Sequence, residues 1–174
     1  MLSIGALVLF MVAVINANRL IVDSDSQALK GEKYIEAAAM TRSLFGEMRV
    51  KYFDHLAPGD SIVTKPSDFT YPPLGPEIFA VPSEVITLPD TGTFRSASSY
   101  NDIDDYNNYT RIVNTANASG YRVSVAVSYV RESDYTPSTV QTFLKKITVT
   151  VNLPQDTTWE ATQDSVTFST IQAY

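Results

Sequence analysis

Met1-Leu-Ser-Ile-Gly-Ala-Leu-Val-Leu-Phe-Met-Val-Ala-Val-Ile-Asn-Ala-Asn18 opens the chain without a charged side chain, and the first charge arrives at Arg19. Only Ser3, Asn16 and Asn18 are polar in this stretch. An apolar run of this length has to leave water. It belongs in a membrane, in a cleaved leader, or in the dry interior of a polymer, and the choice among these decides both fold and function.

Working outward, the run joins a charged helical pattern with no break in composition. Residues 1–54 contain no proline and only three glycines, Gly5, Gly31 and Gly46. Alanine, leucine, methionine, glutamate, lysine and arginine dominate, all good helix formers. From Ala28 the apolar positions recur at helical spacing through Ala28, Ile35, Ala38, Ala39, Phe45, Met48 and Tyr52. Asp23 and Asp25 sit where a brief break could occur, and Lys33 with Glu36 and Glu47 with Lys51 can make intrahelical pairs. Gly31 reads equally as an exposed helical glycine or as a point where the helix bends. A continuous helix of about 53 residues spans roughly 80 Å, far beyond the usual globular helix, so something outside the chain has to justify it.

Residues 55–95 change character. Pro58-Gly59-Asp60, Pro66-Ser67-Asp68, Tyr71-Pro72-Pro73, Gly75-Pro76, Pro82 and Pro89-Asp90 are turn and polyproline signals. This is a wrapping connector with one short strand near Glu84-Val85-Ile86-Thr87-Leu88. Beyond it the period becomes two. Tyr121–Tyr129 alternates with Val123, Val125, Val127 and Tyr129 on one face, and Phe143–Leu153 places Phe143, Ile147, Val149, Val151 and Leu153 together, with Lys145 the exception. These two runs form an antiparallel hairpin across the loop Arg131–Ser138. Tyr109–Val113 supplies an earlier strand, and Ser165–Ile171 a last one after Trp159. A sheet with one apolar face needs a cover, and the stripe of the 28–53 helix is the candidate. The fold class is α+β: a long helix, apolar then amphipathic, on a C-terminal antiparallel sheet. The domains are 1–54 (with 1–18 the apolar membrane or polymerisation segment), 55–95 and a head at 96–174.

Charge excludes several roles. Arg19–Asp54 is neutral, with six basic and six acidic residues, so the whole net charge of -6 lies in the C-terminal part. Nucleic-acid binding needs a basic face and is not expected. The chain has no cysteine and a single histidine, His55, read as a surface residue. There is no phosphate-cradling glycine loop and no nucleophile elbow, so no enzyme activity and no cofactor are expected.

A cleaved secretory signal fits the N-terminus poorly, because a basic n-region and a small-x-small site before Arg19 are both missing. A lone anchor of about 17 apolar residues lies at the short limit for a bilayer. A subunit whose apolar helix packs against identical helices explains the seamless join. The layout, and the apolar start Met1 to Ile15 in particular, resembles a mature type IV pilin or pseudopilin. The resemblance covers the layout of the whole chain, with family-like sequence from residue 1 to about 53. It implies a short charged leader removed by a membrane peptidase, residence in the inner membrane before assembly, help from pilus assembly machinery, and a homopolymeric filament at the cell surface. It implies a polymerisation core of Met1, Leu2, Ile4, Leu7, Leu9, Phe10, Val12, Val14 and Ile15. Two positions depart from the family. The usual glutamate at position 5 is Gly5, and the frequent proline near 22 is Val22. If Met1 is the mature terminus, its amine lacks that glutamate partner and has to reach solvent, a carbonyl or Ser3. A minor pseudopilin that primes a secretion or pilus machine, and a membrane-anchored extracellular binding module, are the alternatives.

Three further features complete the reading. Asp102, Asp104 and Asp105 cluster oxygen ligands of the kind calcium favours, without EF-hand spacing, and read first as an acidic turn before a strand. Asn108-Tyr109-Thr110 and Asn117-Ala118-Ser119 match the N-glycosylation pattern. The ten tyrosines are expected in core and interface positions.

Overall fold

A computed structural model describes residues 2–59, 62–71, 83–88, 94–155 and 164–174, with side chains described from Gly5 onward. The chain divides into two compact units, Met1–Glu36 and Ala37–Tyr174. Helix α1 runs over Leu2–Met48. It passes through Asp23, Asp25 and Gly31 without interruption, as the continuous reading has it, and Ser26 Oγ donates to Asp23 O at 2.9 Å within the helix.

The helix ends several residues before the expected limit, because tertiary partners claim the backbone after Met48. Tyr52 N donates to Asn101 O at 3.1 Å and Ile103 N to Tyr52 O at 3.0 Å, an isolated bridge between Tyr52 and Asp102. The Lys51 ammonium donates to the carbonyls of Ala97 and Tyr100 instead of pairing with Glu47. Propensity alone favoured continuation; these contacts outweigh it.

Five strands follow: β1 Ser83–Thr87, β2 Thr110–Asn114, β3 Tyr121–Tyr129, β4 Leu144–Asn152 and β5 Ser165–Ala173, joined in that spatial order. The short helix α2, Arg95–Ser99, lies between β1 and β2. The β3–β4 hairpin is antiparallel with Val125 opposite Val149, as the alternation predicts, and β2 and β5 flank it, also antiparallel. The sheet is mixed rather than antiparallel throughout, because β1 pairs parallel to β2, with Val85 opposite Ile112. A parallel pair needs a long crossover, and residues 88–109 supply it. The short strand expected near Glu84–Leu88 is thus a member of the sheet. The turn readings at Asp60, Pro72–Pro82 and Pro89-Asp90, and Trp159, lie outside the described residues.

One face of the sheet is dry. Val123, Val125, Val127 and Tyr129 of β3, and Ile147, Val149 and Val151 of β4, are all buried. Each Val or Ile taken from water contributes about 1.5–3 kcal/mol, so this face dominates the stability of the Ala37–Tyr174 unit. The helix covers it with Ala37, Thr41, Leu44 and Met48, which are buried at i, i+4, i+7 and i+11. The expected stripe is therefore partly wrong. Ile35 is 71% exposed and Ala28 and Ala39 are exposed, whereas Phe45 is half-buried and Met48 fully buried. The small residues Ala37 and Thr41 let helix and sheet approach; Thr41 Oγ1 returns to Ala37 O at 3.0 Å and so satisfies itself. At one edge of the core Phe53, Phe69, Phe143 and Tyr174 meet ring to ring, with centroids 5.0 to 6.2 Å apart.

Candidate assembly surface

The N-terminal unit presents the expected apolar surface. In α1, Leu7, Leu9, Phe10, Val12, Val14 and Ile15 are all exposed, as are Leu20, Ile21 and Val22. At 100° per residue, positions 7, 9, 10, 12, 14 and 15 point to every side of the helix axis. A helix apolar all round has no wet face and requires a dry environment on all sides. It is long and apolar enough to cross a membrane, with a mean hydropathy of 2.0 over its most apolar window and none of that window buried within the chain. Leu2 and Ile4 belong to the same helix, their side chains outside the described set, and Met1 is outside it altogether. A Cβ added at Gly5 would meet nothing within 4 Å, so the fold of the single chain does not demand glycine there.

Within the Ala37–Tyr174 unit, two buried ionic clusters fix the end of α1 and the segment after it. In the first, Arg111 on β2 donates to Glu47 Oε2 of α1 at 3.0 Å, to Ser96 Oγ at 2.8 Å and, through Nε, to the Tyr109 hydroxyl at 2.8 Å. Its guanidinium also lies 3.7 Å from Glu84 Oε2 of β1. Tyr106 donates to Glu47 Oε1 at 2.7 Å and Tyr109 to Glu84 Oε2. One arginine thereby ties α1, α2, β1 and β2 together in a fork geometry that lysine cannot reproduce. Burial works against the Arg111 charge, but Tyr109 and Glu47 hold its guanidinium above the ordinary value. Burial and the neighbouring carboxylates push the Tyr106 and Tyr109 hydroxyls upward, so they act as donors. Tyr100 packs edge-on against both rings and is pushed up to about 12 by burial, with Glu84 and Asp105 adding to it.

In the second cluster, Lys145 of β4 is fully buried. The residue that broke the alternation does face the core. Its ammonium donates to Phe53 O at 2.7 Å, Asp54 Oδ2 at 3.0 Å and Asp104 Oδ2 at 2.8 Å, which accounts for its three protons. Tyr129 donates to Thr70 O at 2.8 Å, with its hydroxyl 3.1 Å from Asp54 Oδ2. The two carboxyls around one ammonium shift oppositely. Burial raises both, but Asp54 also accepts from Leu56 N, Thr70 N and Thr70 Oγ1, each at 3.0 Å, and ends below its ordinary value. Burial pushes Asp104 up to about 8 with Lys145 opposing it, and its Oδ1 has no hydrogen-bond partner among the described residues. Asp54 is therefore the carboxyl whose surroundings favour the anion, and Asp104 the one whose surroundings favour the protonated form.

The acidic turn at 101–108 is thus built into the core. Asp105 Oδ2 accepts from Asn101 N at 2.7 Å and Asp102 N at 3.3 Å, and Asp102 Oδ1 accepts from Asp105 N at 3.1 Å. Burial, with the Asp105 charge next, pushes Asp102 up to about 6. Each of the three calcium candidates has one carboxyl oxygen engaged within the fold, Asp102 Oδ1 and Asp105 Oδ2 by amides and Asp104 Oδ2 by Lys145. Among the described residues no three acidic or histidine side chains converge as a metal site. Asn108 is exposed in the left-handed region at φ 64, and Asn117 is exposed in the turn before β3. Of the tyrosines, Tyr100, Tyr106, Tyr109, Tyr121 and Tyr129 are in the core, while Tyr71 and Tyr135 are exposed.

Sequence reading located the apolar segment because its signal is local. It missed Asp54, Glu47, Glu84 and Arg111, whose partners are far along the chain; only the misplaced Lys145 gave a hint. Comparison with protein-family models, curated proteins and solved structures returned no match.

Proposed function

We propose that this chain is a subunit of an extracellular helical filament of the type IV pilus kind, assembled through the apolar half of α1. One observation carries the reading: a single unbroken helix is apolar on every side over its first turns and then supplies the cover of a folded sheet. A secretory leader has no reason to continue into a core helix. In a bundle of copies, each Leu, Ile, Val or Phe of residues 7–15 is removed from water, at about 1.5–3 kcal/mol each. Lipid satisfies the same side chains equally well, so the subunit rests in the inner membrane and machinery is required to extract it. The role is structural, and the ionisable groups of the core hold chain segments to one another. Gly5 offers no buried carboxylate of the kind that the pilin resemblance leads one to expect, so register between copies rests on apolar packing.

The test is Leu9→Asp or Val12→Asp. Either places a carboxylate in the dry bundle and is expected to abolish filaments in sheared cell-surface material, seen by electron microscopy, while circular dichroism of the detergent-solubilised chain stays unchanged. Normal filaments from either variant refute the proposal. Trace amounts of wild-type chain in a fibre built of another protein indicate a minor pseudopilin, and exclusive retention in membranes indicates an anchored binding module.

A further inference from the structure

Strand β5 ends the sheet, and nothing in its sequence protects it. Ser165-Val-Thr-Phe-Ser-Thr-Ile-Gln-Ala173 has no charge, proline or glycine, the usual means of blunting an edge. Its register with β4, together with Tyr174 N donating to Phe143 O and Leu153 N donating to Asp164 O, puts the even-numbered residues in the hydrogen-bonded pairs. The N–H and C=O groups of Ser165, Thr167, Ser169, Ile171 and Ala173 therefore point away from β4. Among the described residues, no backbone group outside β4 meets them.

Beside the C-terminal half of this edge lies a groove of about 740 Å³ between β5 and α1. Its helix wall is Arg42, Phe45, Gly46 and Arg49, and Thr170 and Gln172 line it from the strand. Both arginine side chains are exposed, and neither guanidinium has an ion-pair or hydrogen-bond partner among the described residues. Gly46 sits between them in the helix, where glycine is a poorer helix former than alanine. A Cβ there would meet nothing within 4 Å, so packing within the chain does not explain it. An open edge, a notch and two unpaired guanidiniums on one face, in a chain of net charge -6, form a coherent receptor.

We propose that this groove binds an extended acidic segment of another protein by strand addition. The segment's backbone pairs with the outward groups of β5, and its alternate carboxylates meet Arg42 and Arg49. A second folded copy does not fit: none of the five strands carries alternating carboxylates, and their one acidic residue, Glu84, is engaged by Ser96 and Tyr109. The proposal does not depend on filament formation.

The probe is a fluorescein-labelled eight-residue peptide alternating glutamate and valine, titrated by anisotropy against the full chain in neutral detergent. Saturable binding is expected. It weakens at least tenfold with Arg42→Glu plus Arg49→Glu, and likewise with Ser169→Pro, which removes an outward N–H and spares the β4 ladder. Should Ser169→Pro fail to fold, a glutamate–valine peptide N-methylated at alternate residues tests the edge on the unaltered chain and is expected not to bind. No binding of the first peptide, equal binding of a lysine–valine peptide, or equal binding of the methylated peptide overturns the proposal. So does a concentration-dependent dimer in sedimentation that Arg42→Glu disperses, because the occupant is then a second copy.

Discussion

Lys145 lies in the apolar face of β4, fully buried, and its ammonium is held between Asp54 and Asp104 at 3.0 and 2.8 Å. The upward shift of Asp104 makes stability depend on pH. A carboxyl whose folded value is raised contributes stability fully below its unfolded value of 3.8, and loses it as pH climbs toward the folded value of about 8. Asp102, raised to about 6, acts in the same direction over a narrower window. Asp54 acts oppositely, and its contribution is lost as pH falls below its ordinary value. The thermal midpoint is therefore expected to decline from mildly acidic pH toward pH 8. Asp104→Asn removes the group that ionises at cost, so it is expected to melt above the unaltered chain at pH 8 and together with it near pH 4. Circular dichroism melts of the detergent-solubilised chain across this range check it, and parallel curves for the two proteins refute it. None of this was legible before folding. Asp54 and Lys145 are 91 residues apart, and a lone lysine in an apolar run shows only that something unusual occupies the position.

The elements were legible in proportion to how local their cause is. β3 and β4 bury alternate side chains against one core, so a period of two is imposed on every residue, and Tyr121–Tyr129 is read to its ends. Strand β1 is five residues long and pairs parallel; its direction depends on the crossover, which no local pattern encodes. Helix α1 misleads for a different reason. Its buried face is Ala37, Thr41, Leu44 and Met48, while the large apolar Ile35 is exposed, so apolar spacing alone selects a stripe that is rotated at its N-terminal end. The distinction has a measurable outcome. Leu44→Ala opens a cavity under the sheet and is expected to cost about 2–5 kcal/mol, lowering the melting midpoint. Ile35→Ala, at 71% exposure, is expected to change stability by less than about 0.5 kcal/mol. Equal losses from both would mean that Ile35 packs in the folded chain and that Leu44 does not dominate the cover.

Across the whole chain, opposite demands are placed on the two ends. Residues 1–18 carry no charged side chain and, in water, attract any apolar partner, whereas the net charge of -6 lies entirely beyond Asp54 and repels like copies. If the filament proposal holds, assembly is the balance of these terms, and they respond differently to salt. Apolar packing is not weakened by simple electrolytes. Repulsion between heads falls as the screening length contracts from about 30 Å at 0.01 M to under about 10 Å above 0.1 M. Assembly of the purified chain on detergent removal is therefore expected to begin at a several-fold lower protein concentration in the higher salt. It is also expected to do so as pH approaches the sequence isoelectric point of 4.7. Pelleting with electron microscopy of the pellet measures both. The sign of the salt response is the decisive part. Assemblies that dissolve as salt is raised would have to be held by ion pairs between copies, and the apolar half of α1 would then be a membrane anchor with no part in the polymer.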